Sequence, residues 1–173
     1  MSGTVPVAEL LFSEADATPM STEETTVKSW EHARACLRAA PKSWLSTVRP
    51  DGRPHVMPVM PVWVDDAPWF ATRPTSRKGR NLAHSTRCAI TVASAELDLV
   101  VEGDAIRTCD GATLHRVAAA FETKYGWQFT VRDGSVYDHS LPGSPEYGFY
   151  RVGPTRAFGY GTDGLTATRW RFG

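Results

Sequence analysis

Apolar positions recur at three- and four-residue steps through Val27, Trp30, Ala33 or Arg34, and Leu37, which predicts an amphipathic helix. Ser21-Thr22-Glu23-Glu24 has the spacing of a capping box ahead of it. Pro41 disfavours helical geometry in the residue before it, so the helix should stop near Ala40. The period then shortens. Trp44 to Val48 reads as a strand, Arg49-Pro50-Asp51-Gly52 as a turn, and His55 to Val64 as the return strand of a hairpin. Pro58 and Pro61 cannot donate to a ladder, so part of that return strand must be an edge or a bulge. Asp65-Asp66-Ala67-Pro68 turns the chain into a short strand, Trp69 to Thr72, and Ser76 to His84 fits a short helix. Strands follow at Cys88 to Ala93 and at Leu97 to Thr108, the latter with Gly103 in mid-run suggesting a bulge. A second long helix should start after Asp110, place Leu114, Val117 or Ala118, Phe121 and Tyr125 on one face, and stop at Gly126. Beyond it, Gln128 to Arg132, Tyr147 to Val152, Thr155 to Phe158 and Thr168 to Phe172 read as short strands divided by Gly and Pro.

Many short strands joined by tight turns, with two or three helices, predict a mainly β fold: a small antiparallel barrel with helices packed outside. A doubly wound sheet fits poorly, because the turns between strands 44–48, 55–64 and 69–72 are too short for crossovers and no Gly-x-Gly-x-x-Gly follows a strand. At 173 residues the chain is of single-domain length, read as a tail over 1–20 and one domain over 21–173. Within the tail, Val7 to Phe12 is an apolar run able to pack against the body or a partner. The 19 basic and 19 acidic residues cancel, which removes any whole-molecule argument for nucleic acid or an anionic membrane. Cys36, Cys88 and Cys109 are odd in number and unpaired in spacing, and no run is long enough to span a membrane, so a cytoplasmic protein is expected.

Charge matters locally. Arg73 to Arg87 holds five basic residues and no acidic one. Its leading part, from Thr72 through Ser76-Arg77-Lys78, runs from a strand end into the first turn of a helix. Hydroxyls, free N–H groups and two cations converge there, the chemistry of a phosphate site. The proline-bearing strand leaves ladder groups free beside it for a planar ligand.

Trp44-Leu45-Ser46-Thr47-Val48, Asp51-Gly52-Arg53-Pro54, His55 to Val64, Phe70-Ala71-Thr72, and Ser76-Arg77-Lys78 with Asn81-Leu82 together resemble the pyridoxamine 5'-phosphate oxidase-like superfamily. Val100-Val101-Glu102-Gly103-Asp104-Ala105 and the closing Thr168 to Phe172 look most like its flavin/deazaflavin oxidoreductase branch. The resemblance implies a split β-barrel of the FMN-binding type, assembled as a homodimer with the cofactor between subunits. It implies that Thr72, Ser76, Arg77 and Lys78 bind the cofactor phosphate, and that Val56, Pro58, Val59, Met60 and Pro61 lie along the ring. The oxidase carries Arg and Lys where this chain has Val56 and Pro61, so oxidation of a B6 phosphate is not expected. The implied function is hydride transfer between bound deazaflavin F420, favoured over FMN, and a small unsaturated or heteroaromatic compound. The alternative is a non-catalytic flavin, F420 or haem/tetrapyrrole binder.

Other constellations are weaker. The histidines at 32, 55, 84, 115 and 139 lack metal-ligand spacing, Asp65-Asp66 reads as a turn, and no residue is singled out as a catalytic acid, base or nucleophile. Trp63, Trp127 and Trp170 are each able to wall a substrate pocket.

Overall fold

The computed structural model describes residues 5–11, 26–164 and 166–173. Alternation of buried and exposed side chains sets the strands. In β2 (Ser43–Val48) Ser43, Leu45 and Thr47 turn inward, whereas Trp44 and Val48 face out. β7 (Leu97–Arg107) follows the same rule, with Leu97, Leu99, Val101 and Ala105 in the core.

All pairings are antiparallel. The main path runs β1 (Val7–Leu10), β11 (Ala167–Arg171), β10 (Glu146–Gly161), β7, β6 (Arg87–Ala93), β2, β3 (Pro54–Val59). β10 also pairs with β5 (Ala67–Thr72), which carries β4 (Val62–Val64), and with β9 (Ser135–Asp138), which carries β8 (Phe129–Arg132). This is the split form of the expected barrel. The sheet does not close, and β1 and β3 are left as edges.

β10 organises the rest. Gly148–Arg151 pairs with β5 and Arg156–Tyr160 pairs with β11, and between these stretches the register against β7 shifts at Pro154/Arg156. The bulge expected at Gly103 therefore lies in the facing strand. Gly103 is needed for a different reason: a Cβ there would sit 2.1 Å from the carbonyl oxygen of Gly153.

Three helices cover the sheet. α1 (Trp30–Ala39) starts at Ser29, whose hydroxyl accepts from His32 N–H, and buries Ala33 and Leu37 against Leu97, Leu99 and Trp170. The capping box at Ser21 to Glu24 lies outside the described residues; the helix begins at Trp30, later than the apolar pattern from Val27 suggested. α2 (Arg77–His84) is anchored by Leu82 among Leu45, Phe70 and Ile90, a burial that contributes about 2 kcal/mol. α3 (Gly111–Tyr125) is capped by Asp110 and ends at Gly126 in the left-handed region, and Leu114, Val117, Ala118 and Phe121 pack on Val62, Trp69, Val136 and Phe149.

Three further expectations change. Val7–Leu10, placed in the tail, is a strand registered on β11. His55 to Val64 splits into β3 and β4, because Met60-Pro61 leaves the ladder. Residues 147–158 are one strand, and β9, unforeseen, follows Asp133-Gly134, whose φ values of 50° and 73° make a hairpin turn. Among the described residues no helix is long and apolar enough to cross a membrane.

Candidate functional site

The β5–α2 junction is a closed loop. Thr72 ends β5 fully buried, its hydroxyl 3.0 Å from that of Ser76, and Ser76 caps α2 by accepting from Gly79 N–H at 3.0 Å. Ser76 N–H donates back to the Arg73 carbonyl at 3.0 Å. Gly79 allows this tightness, since a Cβ there would meet Arg73 O at 2.3 Å. The N–H groups of Arg77 and Lys78, at the first two helical positions, have no intrahelical acceptor, and the helix dipole adds positive potential.

The cations around this end are uncompensated. Arg49, Arg77 and Lys78 form no ion pair among the described residues, whereas Arg34, Arg38, Arg53, Arg107, Arg116 and Arg169 all do. Lys78 is half-buried, and burial draws its pKa below the ordinary lysine value. Beneath them, Asn81 is fully buried: its amide N–H donates to the Thr47 hydroxyl at 3.0 Å, and its Oδ1 has no partner. Donors and positive charge thus converge here, and among the described residues no carboxylate pairs with these cations, the chemistry that suits an anion.

Lys78 also lines a cleft of about 700 Å³, within the size range of small-molecule sites. Pro58 and Val59 from the end of β3, Met60 just after it and Ala71 from β5 line one part of it; Trp127, Phe129, Asp138, Leu141 and Tyr147 line another, and Lys42 also borders it. Trp127 is stacked on Phe121 at 5.8 Å between ring centroids and 7° between planes, with Tyr125 and Phe129 also against its ring, yet it is 39% exposed, so the indole is braced while part of it stays open. Of the three candidate tryptophans, Trp127 is the one in the cleft: Trp170 is fully buried against Trp30, and Trp63 packs beside Arg38.

The structure thus brings together Pro58, Val59, Met60 and Lys78 around the cleft, and Thr72, Ser76 and Arg77 at its basic end. Val56 and Pro61 fall outside its lining. Val56 is half-exposed on the outer face of edge strand β3, and Pro61 is buried with its carbonyl accepting from Lys124 Nζ at 3.0 Å and Tyr125 OH at 2.7 Å. Lys124 Nζ also donates to the carbonyls of Arg38 and Ala40, so α3 ties the C-terminus of α1 to the β3–β4 break. Arg73, read with the basic cluster, instead lies over the Tyr147 ring at 5.5 Å. Asp65 and Asp66 have φ values of 49° and 58° in the β4–β5 turn, and they pair with Arg116 and with Arg34 and Arg38.

A family model described as pyridoxamine 5'-phosphate oxidase matches residues 29–160, most of the chain. The protein belongs to that family. A search of curated proteins gave no match. Among solved structures, a conserved hypothetical protein of Mycobacterium tuberculosis is 20% identical with a TM-score of 0.64, over 83% of this chain and 90% of that one. An F420 reductase is 21% identical with a TM-score of 0.51, over 72% and 94% of the two chains. A haem-binding protein from Mycobacterium smegmatis is 22% identical with a TM-score of 0.56, over 75% of this chain and 52% of that one. At these identities the likeness establishes the shared fold.

The hairpin β8–β9 escaped assignment to the site from sequence, and Trp127 stood unranked among three candidate pocket tryptophans. Asp133-Gly134 between alternating residues was the available hairpin signal. Nothing local marks Trp127 as a cleft residue, because its place depends on β8 and β9 docking onto the start of β10.

Proposed function

We infer that this protein is an oxidoreductase holding a flavin or deazaflavin, F420 or FMN, in the cleft and acting on a small planar unsaturated or heteroaromatic compound. The observation that carries this reading is the junction of two features through Lys78: a carboxylate-free cluster of cations at a capped helix start, and a cleft with a supported tryptophan. Arg77 and Lys78 would hold the phosphate, with the Thr72–Ser76 hydroxyl pair keeping the loop in register. Pro58, Val59 and Met60 would border the ring. A bound flavin or deazaflavin supplies hydride chemistry, which requires no acid–base pair from the protein. The protein's part is to orient two flat molecules and exclude water, and Trp127 backed by Phe121 gives the second of them a rigid surface.

The F420 reductase among the structural neighbours supports this reading, and the family's name raises B6 oxidation as the obvious rival. Val56 and Pro61 weigh against that rival: neither is cationic, and Pro61 is buried. A homodimer is part of the same reading. Trp44, Val48, Val56 and Ile106 are exposed on the outer face of the sheet, a surface suited to a second copy of the chain, and light scattering should give twice the monomer mass.

Titration with FMN and with F420 tests the cofactor. Arg77→Ala and Lys78→Ala should each weaken binding by about one to two orders of magnitude, the effect of losing a charge-assisted hydrogen bond. Stopped-flow oxidation of the reduced, protein-bound cofactor by quinones and activated enones tests turnover. Tight binding without such oxidation would favour a storage or sensing protein of the same fold.

A further inference from the structure

The geometry points to His55 as a further member of the anion site: its Nε2 takes up a proton when the cofactor phosphate arrives, and the imidazolium donates to that phosphate. This deepens the proposed function and rests on its reading of the α2 N-terminus as the phosphate site.

Hydrogen bonding at Thr47 fixes the imidazole. Thr47 and His55 are directly paired across β2 and β3. The Thr47 hydroxyl has one proton, donated to the His55 carbonyl at 3.3 Å, and it accepts from Asn81 Nδ2 at 3.0 Å. With that proton on the His55 carbonyl, we assign the ring nitrogen as donor in the remaining contact, 3.5 Å from His55 Nδ1 to the same oxygen. That leaves Nε2 as the nitrogen with a free lone pair.

Helix geometry puts the cations on the same side. Arg77 and Lys78 precede Asn81 by four and three residues, so all three share one face of α2, and Asn81 is the residue joined to Thr47. The groups around the imidazole are Thr47 on β2, Arg49 in the turn that follows it, and Arg77, Lys78 and Asn81 on α2. Burial first, then the charges of Arg49, Arg77 and Lys78, hold the His55 pKa below its ordinary value. The free site therefore disfavours protonation of His55. A phosphate placed among those cations cancels their repulsion and raises the pKa, so binding takes up a proton. Affinity then strengthens as pH falls between the bound and free pKa values, by at most tenfold per pH unit for one proton.

The test follows the His55 Hε1 resonance by NMR from pH 5 to 9, identified by its loss in His55→Gln. It is run with no ligand, with sulfate, and with FMN and F420 in turn. Sulfate stays dianionic throughout, so its titration is not confused with that of a phosphate. The expected result is a His55 pKa raised by at least one unit in the presence of sulfate and of whichever cofactor binds. Calorimetry in two buffers of different ionisation enthalpy should show proton uptake in the wild type and not in His55→Gln. If a cofactor binds and is weakened by Arg77→Ala and Lys78→Ala, yet the His55 pKa does not move, this inference falls and the cofactor reading stands. If sulfate moves His55 but neither cofactor binds, the anion site stands and the cofactor reading falls. If neither sulfate nor either cofactor binds at all, both fall.

Discussion

Gly79→Ala sets two physical effects against each other. In an exposed helix, Ala is favoured over Gly by about 1 kcal/mol because Gly gives up more backbone freedom. At Gly79 an added Cβ would lie 2.3 Å from Arg73 O and 2.8 Å from Pro74 O. Both obstacles are backbone atoms, so no rotamer change relieves them. Real contacts begin near 3.0 Å, so the β5–α2 loop must shift by more than half an ångström. Overpacking costs about 1–3 kcal/mol, and with backbone as both obstacles the upper part of that range, about 2–3 kcal/mol, applies; after the propensity gain of about 1 kcal/mol a net destabilisation of about 1–2 kcal/mol remains. With a urea m-value of about 2 kcal/mol/M, the unfolding midpoint should fall by roughly 0.5–1 M at constant slope. The loop that shifts contains the Thr72–Ser76 hydroxyl pair, so FMN or F420 affinity should fall as well. Gly111→Ala is the internal control: it opens α3 with nothing within 4 Å of the new Cβ and should raise the midpoint. If Gly79→Ala matched Gly111→Ala in raising stability and left cofactor affinity unchanged, the close approach of α2 to the loop would be refuted.

Native-state thiol labelling should modify exposed Cys109 first and leave Cys88 unreacted until unfolding, because burial pushes the Cys88 thiol up to about 12; replacing all three cysteines should leave turnover within a few-fold of wild type. Lys124→Met removes donors to the carbonyls of Arg38, Ala40 and Pro61; it should cost about 2 kcal/mol in urea unfolding, less than the sum of three charged hydrogen bonds because Tyr125 still serves Pro61 and water reaches the exposed side. Hydrogen bonds from Ser135 and Arg107 hold the Glu146 carboxyl below its ordinary value. A depressed acid stabilises the fold above its unfolded pKa and loses that contribution as pH falls through the folded one. The stability gap between wild type and Glu146→Gln should therefore shrink as pH falls from 6 to 3, and a gap independent of pH would contradict the assignment.

Local chemistry in the sequence reached as far as local causes do. Asp110 and Gly126 bracket α3 as their residue types require, and Ser76 caps α2, because capping depends on the residue itself and its neighbours three positions away. The residues proposed for the phosphate lie within seven positions of one another, so their convergence needed only a strand end and a helix start. Pairing partners are another matter. That residues 147–158 form one strand depends on β7 lying alongside to span the bulge at Pro154/Arg156. That Val7–Leu10 is a strand depends on β11, at the other end of the chain, where Glu9 reaches Arg169 at 2.7 Å. Neither pairing leaves a local mark. The prolines at 58 and 61 did announce an edge and a break, but the side chains aligned with the cleft are decided by where Met60-Pro61 leaves the ladder, and the hydrogen bonds from Lys124 and Tyr125 decide that.

The cleft therefore has two halves of different origin. The half to which the proposed reading assigns the cofactor is made by β2, β3, β5 and α2, which contact one another through consecutive hairpins and the Asn81–Thr47 hydrogen bond. The other half, from Trp127 to Tyr147, is a hairpin fixed to the start of β10 by the pairing of Glu146 and Tyr147 with β9. Gly148 is paired with Thr72, so the residue before it, Tyr147, is held beside the β5–α2 loop, and Arg73 over its ring braces that contact. Substitutions in 127–141 can thus reshape the wall that the proposed reading gives to the substrate without moving Arg77 or Thr72. Lys78 is the exception, a residue of α2 that lines the cleft. Its loss should weaken cofactor binding and alter acceptor preference together, whereas loss of Arg77 should affect the first alone.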